Sequence, residues 1–147
     1  MLLFECKKFD SFSPQELHDL LALRSEVFVV EQNCVYQDID GKDLLALHII
    51  GKSKEKIVAC ARILAPGVSY PEKVSIGRVA VSQTQRGKNQ GHELMNYCLK
   101  QTKAHFPAVT IKISAQAHLE NFYNKHGFKA TGEEYLEDGI PHIGMIL

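Results

Sequence analysis

The residues best suited to bind a charged ligand form one short run: Arg86, Gly87, Lys88, Asn89, Gln90, Gly91 and His92. An apolar segment at 79–81 precedes the run, and an apolar pattern with helical spacing follows it from Leu94. A strand that ends in a glycine-containing turn and then starts a helix leaves several backbone N–H groups without acceptors, close to the positive end of the helix dipole. Arg86 and Lys88 place cationic side chains beside those groups. The run therefore predicts a site for a phosphorylated ligand.

The spacing of the glycines excludes two common phosphate-binding motifs. A P-loop has four residues between its glycines and Lys-Ser/Thr after the second glycine, whereas Gly87 and Gly91 enclose three residues and His92 follows. A dinucleotide-binding fold has Gly-x-Gly-x-x-Gly near the start of a βαβ unit, and this triple does not occur in the chain. Taken alone, the run is also compatible with a simple strand-to-helix connection.

Residues 86–91 resemble the acyl-coenzyme A pyrophosphate loop of the GNAT N-acetyltransferases, whose pattern is Arg/Gln-x-x-Gly-x-Gly/Ala. Arg86 occupies the first position and Gly91 the last, while Asn89 stands where the family usually has its first glycine. Asparagine adopts the left-handed backbone region more readily than most residues, so this departure is compatible with the loop.

Three further segments carry the resemblance. Residues 114–128 are similar to a second GNAT signature, in which a strand end is followed by a short helix with Asn-Phe-Tyr and then by Gly-Phe. Residues 24–32 and 135–145 resemble the ElaA-like branch of the superfamily, and the matches occur in the family's order over nearly the whole chain. The resemblance implies the GNAT acyl-CoA N-acyltransferase fold. This is an α/β (mixed α+β) fold with a single mixed central sheet flanked by helices, and we expect it to occupy residues 1–147 as one domain.

The resemblance also implies a reaction, the transfer of an acetyl group from the cosubstrate acetyl-CoA directly to a primary amine of a small molecule or peptide. Val79, Ala80 and Val81 match the strand whose backbone amides hold the pantetheine arm. The N–H of Val81 or of a neighbour is the expected oxyanion donor, a role that is worth about 2.7–4 kcal/mol in well-studied enzymes. Asn121 matches a residue that contacts the pantetheine or pyrophosphate region, so coenzyme binding is expected from it and from residues 86–92.

Two residues are the expected proton-transfer groups. Tyr123 matches the family tyrosine near the coenzyme sulfur, and a phenol is close enough in pKa to a thiol to protonate the departing thiolate. The alternative for Tyr123 is a purely structural place on an apolar helix face. His142 is the expected base, because a neutral imidazole suits the deprotonation of an ammonium near neutral pH. The alternatives for His142 are a hydrogen bond to backbone or an orienting role, and Glu26 and Glu31 are the competing bases.

Three arginines interrupt otherwise apolar runs: Arg24, Arg62 and Arg78. Arginine is rarely buried without a partner, so these side chains either clamp an anionic group of the substrate or pair internally with Glu26 and Glu31. We expect the substrate side of the site to be lined by Arg24, Phe28, Glu31 and Arg78.

The composition favours a globular protein that binds neither nucleic acid nor a membrane. The 147 residues include 17 basic and 17 acidic side chains, so no charge excess attracts polyanions. No apolar run approaches the roughly 20 residues that span a bilayer, and the N-terminus lacks the apolar core of a signal peptide. The four cysteines are widely spaced, which favours free thiols in the cytoplasm and no structural metal. A homodimer is allowed by the resemblance and indicated by no residue.

The pattern along the chain predicts an early antiparallel half followed by a β-α-β-α-β half. Ser13, Pro14 and Glu16 form a helix start with a capping box, followed by helical spacing to about residue 30. A second helix follows the phosphate run to about residue 105, and a short one covers about 117–126. Strands are predicted at 2–9, 44–50, 57–64, 74–81, 109–113, 128–132 and 140–147.

Two other functions remain compatible with these residues. One is a non-catalytic acyl-CoA-binding sensor or scaffold, which is suggested by Asn89 at a glycine position. The other is an acetyltransferase that modifies protein lysines or N-termini. The identity of the amine does not follow from the sequence.

Overall fold

The computed structural model describes all 147 residues and contains seven strands and three α-helices. In chain order these are β1 (Leu3–Lys8), α1 (Pro14–Arg24), β2 (Leu47–Ser53), β3 (Lys56–Leu64), β4 (Ser75–Val81), α2 (Gln90–His105), β5 (Lys112–Gln116), α3 (Glu120–Asn124), β6 (Lys129–Glu137) and β7 (Ile140–Ile146). This arrangement confirms the mixed α/β fold that the sequence predicts. No helix combines the length and apolar character needed to cross a bilayer.

Helix α1 begins with the predicted capping box. The Glu16 N–H donates to Ser13 Oγ at 3.1 Å, and the Ser13 N–H donates to Glu16 Oε1 at 3.3 Å. Beyond Arg24 the chain continues as a π-helix over Ser25–Glu31. The helical segment therefore ends close to the predicted residue 30. Its last part is wound more widely than an α-helix, a feature that is frequent near functional sites.

The strands form two sheets that meet at one point. Strands β1 to β4 lie side by side in sequence order, and the second sheet has the order β5-β7-β6. Between the sheets the Val74 N–H donates to the Thr110 carbonyl at 3.0 Å, and the Lys112 N–H donates to the Val74 carbonyl at 2.8 Å. This isolated parallel bridge is the one pairing between the two sheets, so the strands form two sheets and not the single mixed sheet that we expected. Past it, no ladder connects β4 with β5, and a cleft opens between them.

A β-bulge bends β4 at the edge of this cleft. Gly77 lies opposite Arg62 and Ala80 lies opposite Cys60, so two residues of β4 face one residue of β3. Arg78, the first residue of the bulge, has φ +48°. Bulges of this kind redirect side chains and increase strand twist, and this one lies beside the cleft.

Helices α1 and α2 cover opposite faces of the first sheet. Ile49 belongs to a core cluster with Leu94 and Cys98 of α2. Its neighbour Ile50 packs in a second cluster with Leu20 and other residues of α1. Since successive side chains of a strand point to opposite faces, burial on both sides explains the near-continuous apolar runs of β2 and β3.

Candidate functional site

The cleft between β4 and β5 has a volume of about 770 Å³. At one end, which we call the loop end, it is lined by residues of the run 85–92 together with Phe122 and Tyr123. At the other, the far end, it is lined by Tyr36, Lys42, Ser69 and Tyr70. Strand β4 runs from the far end to the loop end, and its length separates them by roughly 20 Å.

The phosphate run has the backbone geometry that an anion requires. The N–H groups of residues 87–92 donate no hydrogen bond within the protein, and α2 begins among them at Gln90. Asn89 has φ +64° and Gly87 has φ +82°, so the left-handed conformation expected at the family's first glycine is adopted by asparagine. These free donors at a helix N-terminus form a concave, positively polarised cradle.

Arg86 reaches across the cradle to another part of the chain. Its Nη1 and Nη2 lie 2.5 and 3.0 Å from the carboxylate oxygens of Glu31, and its Nε donates to the Val81 carbonyl at 3.0 Å. Arg86 and Glu31, which we expected in the coenzyme and substrate sites respectively, are therefore partners in the free protein. Lys88 is exposed and does not line the cleft.

Two histidines are hydrogen-bonded to each other beside the cradle. His92 Nδ1 lies 2.8 Å from His126 Nε2, and the His92 ring packs on Phe122 with centroids 4.7 Å apart. Burial and the neighbouring His92 lower the pKa of His126. At this distance one ring donates and the other accepts, so the pair favours at least one neutral imidazole.

Gln90 places an unpartnered amide in the cleft. Its side chain is 7% exposed and lines the cavity, and its Oε1 has no hydrogen-bond donor. A buried acceptor without a donor costs about 1–3 kcal/mol. The arrangement fits a ligand that brings an N–H or O–H group to this position.

The wall of the cleft is the free edge of β4. Val79, Ala80 and Val81 line it, and β4 is the last strand of its sheet. One row of its backbone N–H and C=O groups therefore lacks a strand partner, and such an edge can pair with an extended chain.

Tyr123 lies in the floor of the cleft. It is 7% exposed and makes edge-to-face contacts with Phe122 and Phe128, at centroid distances of 5.1 and 5.8 Å. Burial, with a smaller contribution from Cys98, raises the pKa of Tyr123 to about 12. The phenol is therefore neutral near pH 7 and able to donate.

His142 lies across the cleft on β7 and is also buried. Its Nδ1 is 2.7 Å from the Ile140 carbonyl oxygen, and since a carbonyl only accepts, Nδ1 carries a proton. Its Nε2 is 3.3 Å from Glu137 Oε2. Sequence reasoning missed Glu137. The signal for it is the turn dipeptide Asp138-Gly139, because the hairpin formed there returns β7 along β6 and brings Glu137 and His142 together.

The arginines correct one expectation about the substrate site. Arg24 is 1% exposed, bonds to Asp38 at 2.9 Å and to Asp43 at 2.7 Å, and does not line the cleft. Arg62 bonds to Asp40 and Asp43. The internal network that we considered does exist, but its acids are aspartates of the segment 38–43 and not Glu26 or Glu31. Burial of a guanidinium requires such nearby carboxylates.

The remaining predicted residues divide between the cleft and the surface. Arg78 lines the cleft with its Nε 2.7 Å from Asp38 Oδ1, so it is already neutralised. Phe28 also lines the cleft. Asn121 is exposed and outside the cavity lining, because its place on α3 turns it away while Phe122 and Tyr123 point inward. No group of three or more metal-ligating side chains is assembled.

Comparisons with known proteins agree with this architecture. Residues 9–147 match the family model described as an acetyltransferase (GNAT) domain. The chain is 50% identical over 135 residues to protein ElaA of Escherichia coli K12, covering 90% of this chain and 88% of ElaA. The crystal structure of Escherichia coli ElaA superposes with a TM-score of 0.92 at 46% identity, covering 99% of each chain.

Two other solved structures extend the comparison. An acyl-CoA N-acyltransferase from Pseudomonas aeruginosa gives a TM-score of 0.93 at 42% identity, covering 99% of each chain. An acetyltransferase from Bacillus subtilis, solved in complex with CoA, gives 0.66 at 21% identity, covering 100% of this chain and 98% of that one. At 21% identity, the likeness to the Bacillus subtilis protein shows a shared fold alone. With the family model spanning nearly its whole length and ElaA identical at half of the aligned positions, the chain belongs to the GNAT acetyltransferase family and is ElaA-like within it.

Proposed function

We propose that the protein transfers the acetyl group of acetyl-CoA to a primary amine of a small molecule or peptide. The observation that carries the proposal is the row of free N–H groups at residues 87–92, at one end of a cleft whose wall is an unpaired strand edge. A diphosphate fits the first feature and an extended pantetheine arm fits the second. The Bacillus subtilis acetyltransferase, which shares the fold, was solved in complex with CoA, and this supports an acyl-CoA as the ligand.

The unpartnered Gln90 oxygen tests the fit of this ligand independently. The cleft holds a buried acceptor without a donor, and a pantetheine arm carries amide N–H groups. The arm offers donors of the kind that the Gln90 oxygen lacks, so the residues present fit an acyl-CoA.

Acetyl transfer from a bound acetyl-CoA requires the thioester and the amine to be held together, an oxyanion donor, a base and a proton source for the sulfur. Acetyl-CoA contributes a thioester whose carbonyl carbon accepts the amine. The N–H groups at the end of β4, that of Val81 or a neighbour, stabilise the developing oxyanion. A C–N bond forms and the C–S bond breaks. The amine proton passes to a base, and the sulfur is protonated from Tyr123 or from solvent.

His142 is the base that the geometry favours. Its Nδ1 donates to the Ile140 carbonyl, so Nε2 is the ring nitrogen that can exchange a proton with the amine. Glu137, 3.3 Å from Nε2, stabilises the imidazolium once the proton has moved. Glu31 is a weaker candidate because Arg86 occupies both of its oxygens.

Tyr123 acts in this scheme mainly as a hydrogen-bond donor. With the pKa of the phenol near 12, complete transfer to a thiolate whose conjugate pKa is about 8.5 is uphill by roughly 5 kcal/mol. A hydrogen bond from the Tyr123 hydroxyl stabilises the negative charge that develops on the sulfur, and it requires no complete proton transfer. Solvent then completes the protonation.

The experiment that tests the proposal has two stages. Thermal unfolding is measured with acetyl-CoA, free CoA and ATP; a ligand at about 100 times its dissociation constant adds about 2.7 kcal/mol to the folded state. Acetyl transfer is then followed on matched panels of small amines and of peptides with free N-termini or lysines. We expect stabilisation by both coenzyme forms, none by ATP, and turnover with small amines or short peptides. Coenzyme binding without turnover on any amine would support the sensor or scaffold instead.

A further inference from the structure

A balanced cluster of charges adjoins the far end of the cleft, where one additional cation lies. The cluster consists of Arg24, Arg62 and Arg78 with Asp38, Asp40 and Asp43. Three guanidinium groups face three carboxylates, so the cluster is neutral overall. Arg62 and Arg78 line the cleft but have no charge left to offer a ligand.

Lys42 is the additional cation. Of the lysines and arginines that line the cleft, Arg62, Arg78 and Arg86 have carboxylate partners and Lys42 has none. Its Nζ instead donates to Ser69 Oγ at 2.9 Å. Its backbone N–H donates to Asp40 Oδ1 at 3.1 Å, which fixes the turn that carries the side chain. Lys42 is half-buried, so its ammonium has lost part of its hydration without gaining an ion pair.

Two hydroxyl-bearing residues, Ser69 and Tyr70, line the end of the cleft at which this ammonium lies. Ser69 already accepts from Lys42, so its own proton is available to a ligand. Tyr70 follows in the chain and lines the same end of the cleft. Burial, followed by the negative charges of neighbours that include Glu137, raises the pKa of Tyr70, which keeps the phenol protonated. An ammonium with two hydroxyl donors is suited to a small anion.

We propose that Lys42, Ser69 and Tyr70 bind an anionic group of the acceptor, the amine that receives the acetyl group. The enzyme then acts on amines that also carry a carboxylate or a phosphate. The inference rests on the proposed acetyl transfer in the same cleft. The acceptor then lies with its anion at Lys42 and its amine directed towards His142 and Glu137, the base and the acidic side chain on the opposite wall. Opposite charges at the two ends of the acceptor subsite fix the direction in which the substrate binds.

Matched pairs of amines test the inference. β-Alanine is compared with propylamine, and phosphoethanolamine with ethanolamine, on the wild type, Lys42→Met, Lys42→Glu and a control variant, Lys103→Met, whose side chain is exposed on α2. We expect the wild type to prefer the acidic member of at least one pair by about tenfold or more in kcat/KM, equivalent to about 1.4 kcal/mol. The pair that shows the preference identifies carboxylate or phosphate.

The variants separate recognition of the anion from the chemistry. Lys42→Met removes the preference for the acidic amine through KM, Lys42→Glu reverses it in favour of the neutral amine, and Lys103→Met behaves as the wild type. Equal rates on acidic and neutral amines, or a preference that survives in Lys42→Met, would overturn the inference while acetyl transfer itself stands.

A binding measurement keeps this test independent of turnover. Calorimetric titration of β-alanine and phosphoethanolamine into the protein saturated with CoA reports the anion subsite without chemistry. If the two compounds bind to the wild type but not to Lys42→Met, the anion site is supported. If the wild type also acetylates no amine, the proposed function is contradicted while the anion site stands. Binding that is equal in Lys42→Met counts against the anion site alone.

Discussion

Arg86 and Glu31 form a bidentate ion pair between residues that are 55 positions apart in the chain, with nitrogen–oxygen distances of 2.5 and 3.0 Å. The pair joins the rim of the phosphate cradle to the end of the π-helix. The cation expected to contact the coenzyme is thus held in place by a carboxylate, and a diphosphate must compete with that carboxylate for it.

Glu31→Gln is therefore expected to increase coenzyme affinity. Both side chains are partly exposed, and ion pairs of this kind are worth about 0.2–1 kcal/mol. Freeing Arg86 should lower the dissociation constant of acetyl-CoA by up to about fivefold, measured by titration calorimetry. Glu55→Gln, in the exposed β2–β3 turn, is the matched control. Weaker binding in Glu31→Gln would mean that Glu31 positions Arg86 and does not compete with the coenzyme.

Gln90→Leu is expected to change stability and affinity in opposite directions. An apolar side chain of similar size removes the unpartnered Gln90 oxygen, so the free protein should gain about 1 kcal/mol in unfolding free energy. The same change removes an acceptor for the coenzyme and should raise its dissociation constant about fivefold or more. Denaturant unfolding and calorimetry measure the two effects. Coenzyme affinity that is unchanged or higher in Gln90→Leu would show that Gln90 has no ligand-binding role.

Tyr123→Phe should reduce kcat with little change in coenzyme binding. The hydroxyl is the only group lost, and the ring contacts with Phe122 and Phe128 remain. General-acid residues contribute about 10²–10⁴-fold, and the raised pKa of Tyr123 places the expected loss near the lower limit, about 10²-fold. Steady-state kinetics with a thiol-detecting reagent measure it. Unchanged turnover would assign the thiolate proton to solvent alone.

His142→Gln tests the base while preserving its hydrogen bond to backbone. The Gln amide can still donate to the Ile140 carbonyl, so the β6–β7 hairpin should keep its stability. Turnover on amines should fall by about 10²-fold or more, and stabilisation by acetyl-CoA in thermal unfolding should be retained. A parallel Glu137→Gln variant should lose less, since Glu137 acts through the imidazole. A larger loss in Glu137→Gln would transfer the role of base to the glutamate.

Stability at low pH depends on the aspartates of the far-end cluster. The hydrogen bond from Arg62 lowers the pKa of Asp40 from 3.8 to about 2, against a smaller opposing effect of burial. A folded pKa below the unfolded one contributes stability above the unfolded pKa, and this contribution is lost as pH falls through the folded pKa. Wild-type melting temperature should therefore fall between about pH 4 and pH 2, and Asp40→Asn should show a shallower fall. Asp10→Asn, at an exposed position, is the control and should keep the wild-type slope.

The features that the sequence predicted well depend on neighbouring residues. The capping box at Ser13 and Glu16 closes within one helical turn. Asn89 takes a left-handed conformation that its own side chain tolerates. In both cases the physical cause lies within a few positions of the residue, so it can be identified from the chain alone.

The features that the sequence did not predict join distant segments. Arg24 bonds to Asp43, and its burial depends on a turn that brings 38–43 under the helix. Strand β6 extends to Glu137 although residues 133–137 lack apolar alternation. Its later residues are exposed and are held by backbone pairing with β7. Neither the partner of a charge nor an exposed edge strand leaves a periodic pattern in the sequence.

The single bridge at Val74 also has a kinetic consequence. Strands β2, β3 and β4 pair with their sequence neighbours through short connections, as do β6 and β7, and contacts of this local kind form early in folding. The junction between the two sheets joins residues that are far apart in sequence, so we expect it to form after the folding transition state. A ligand seated across that junction would then slow unfolding and leave the folding rate almost unchanged. Bound coenzyme would in this way extend the lifetime of the native protein.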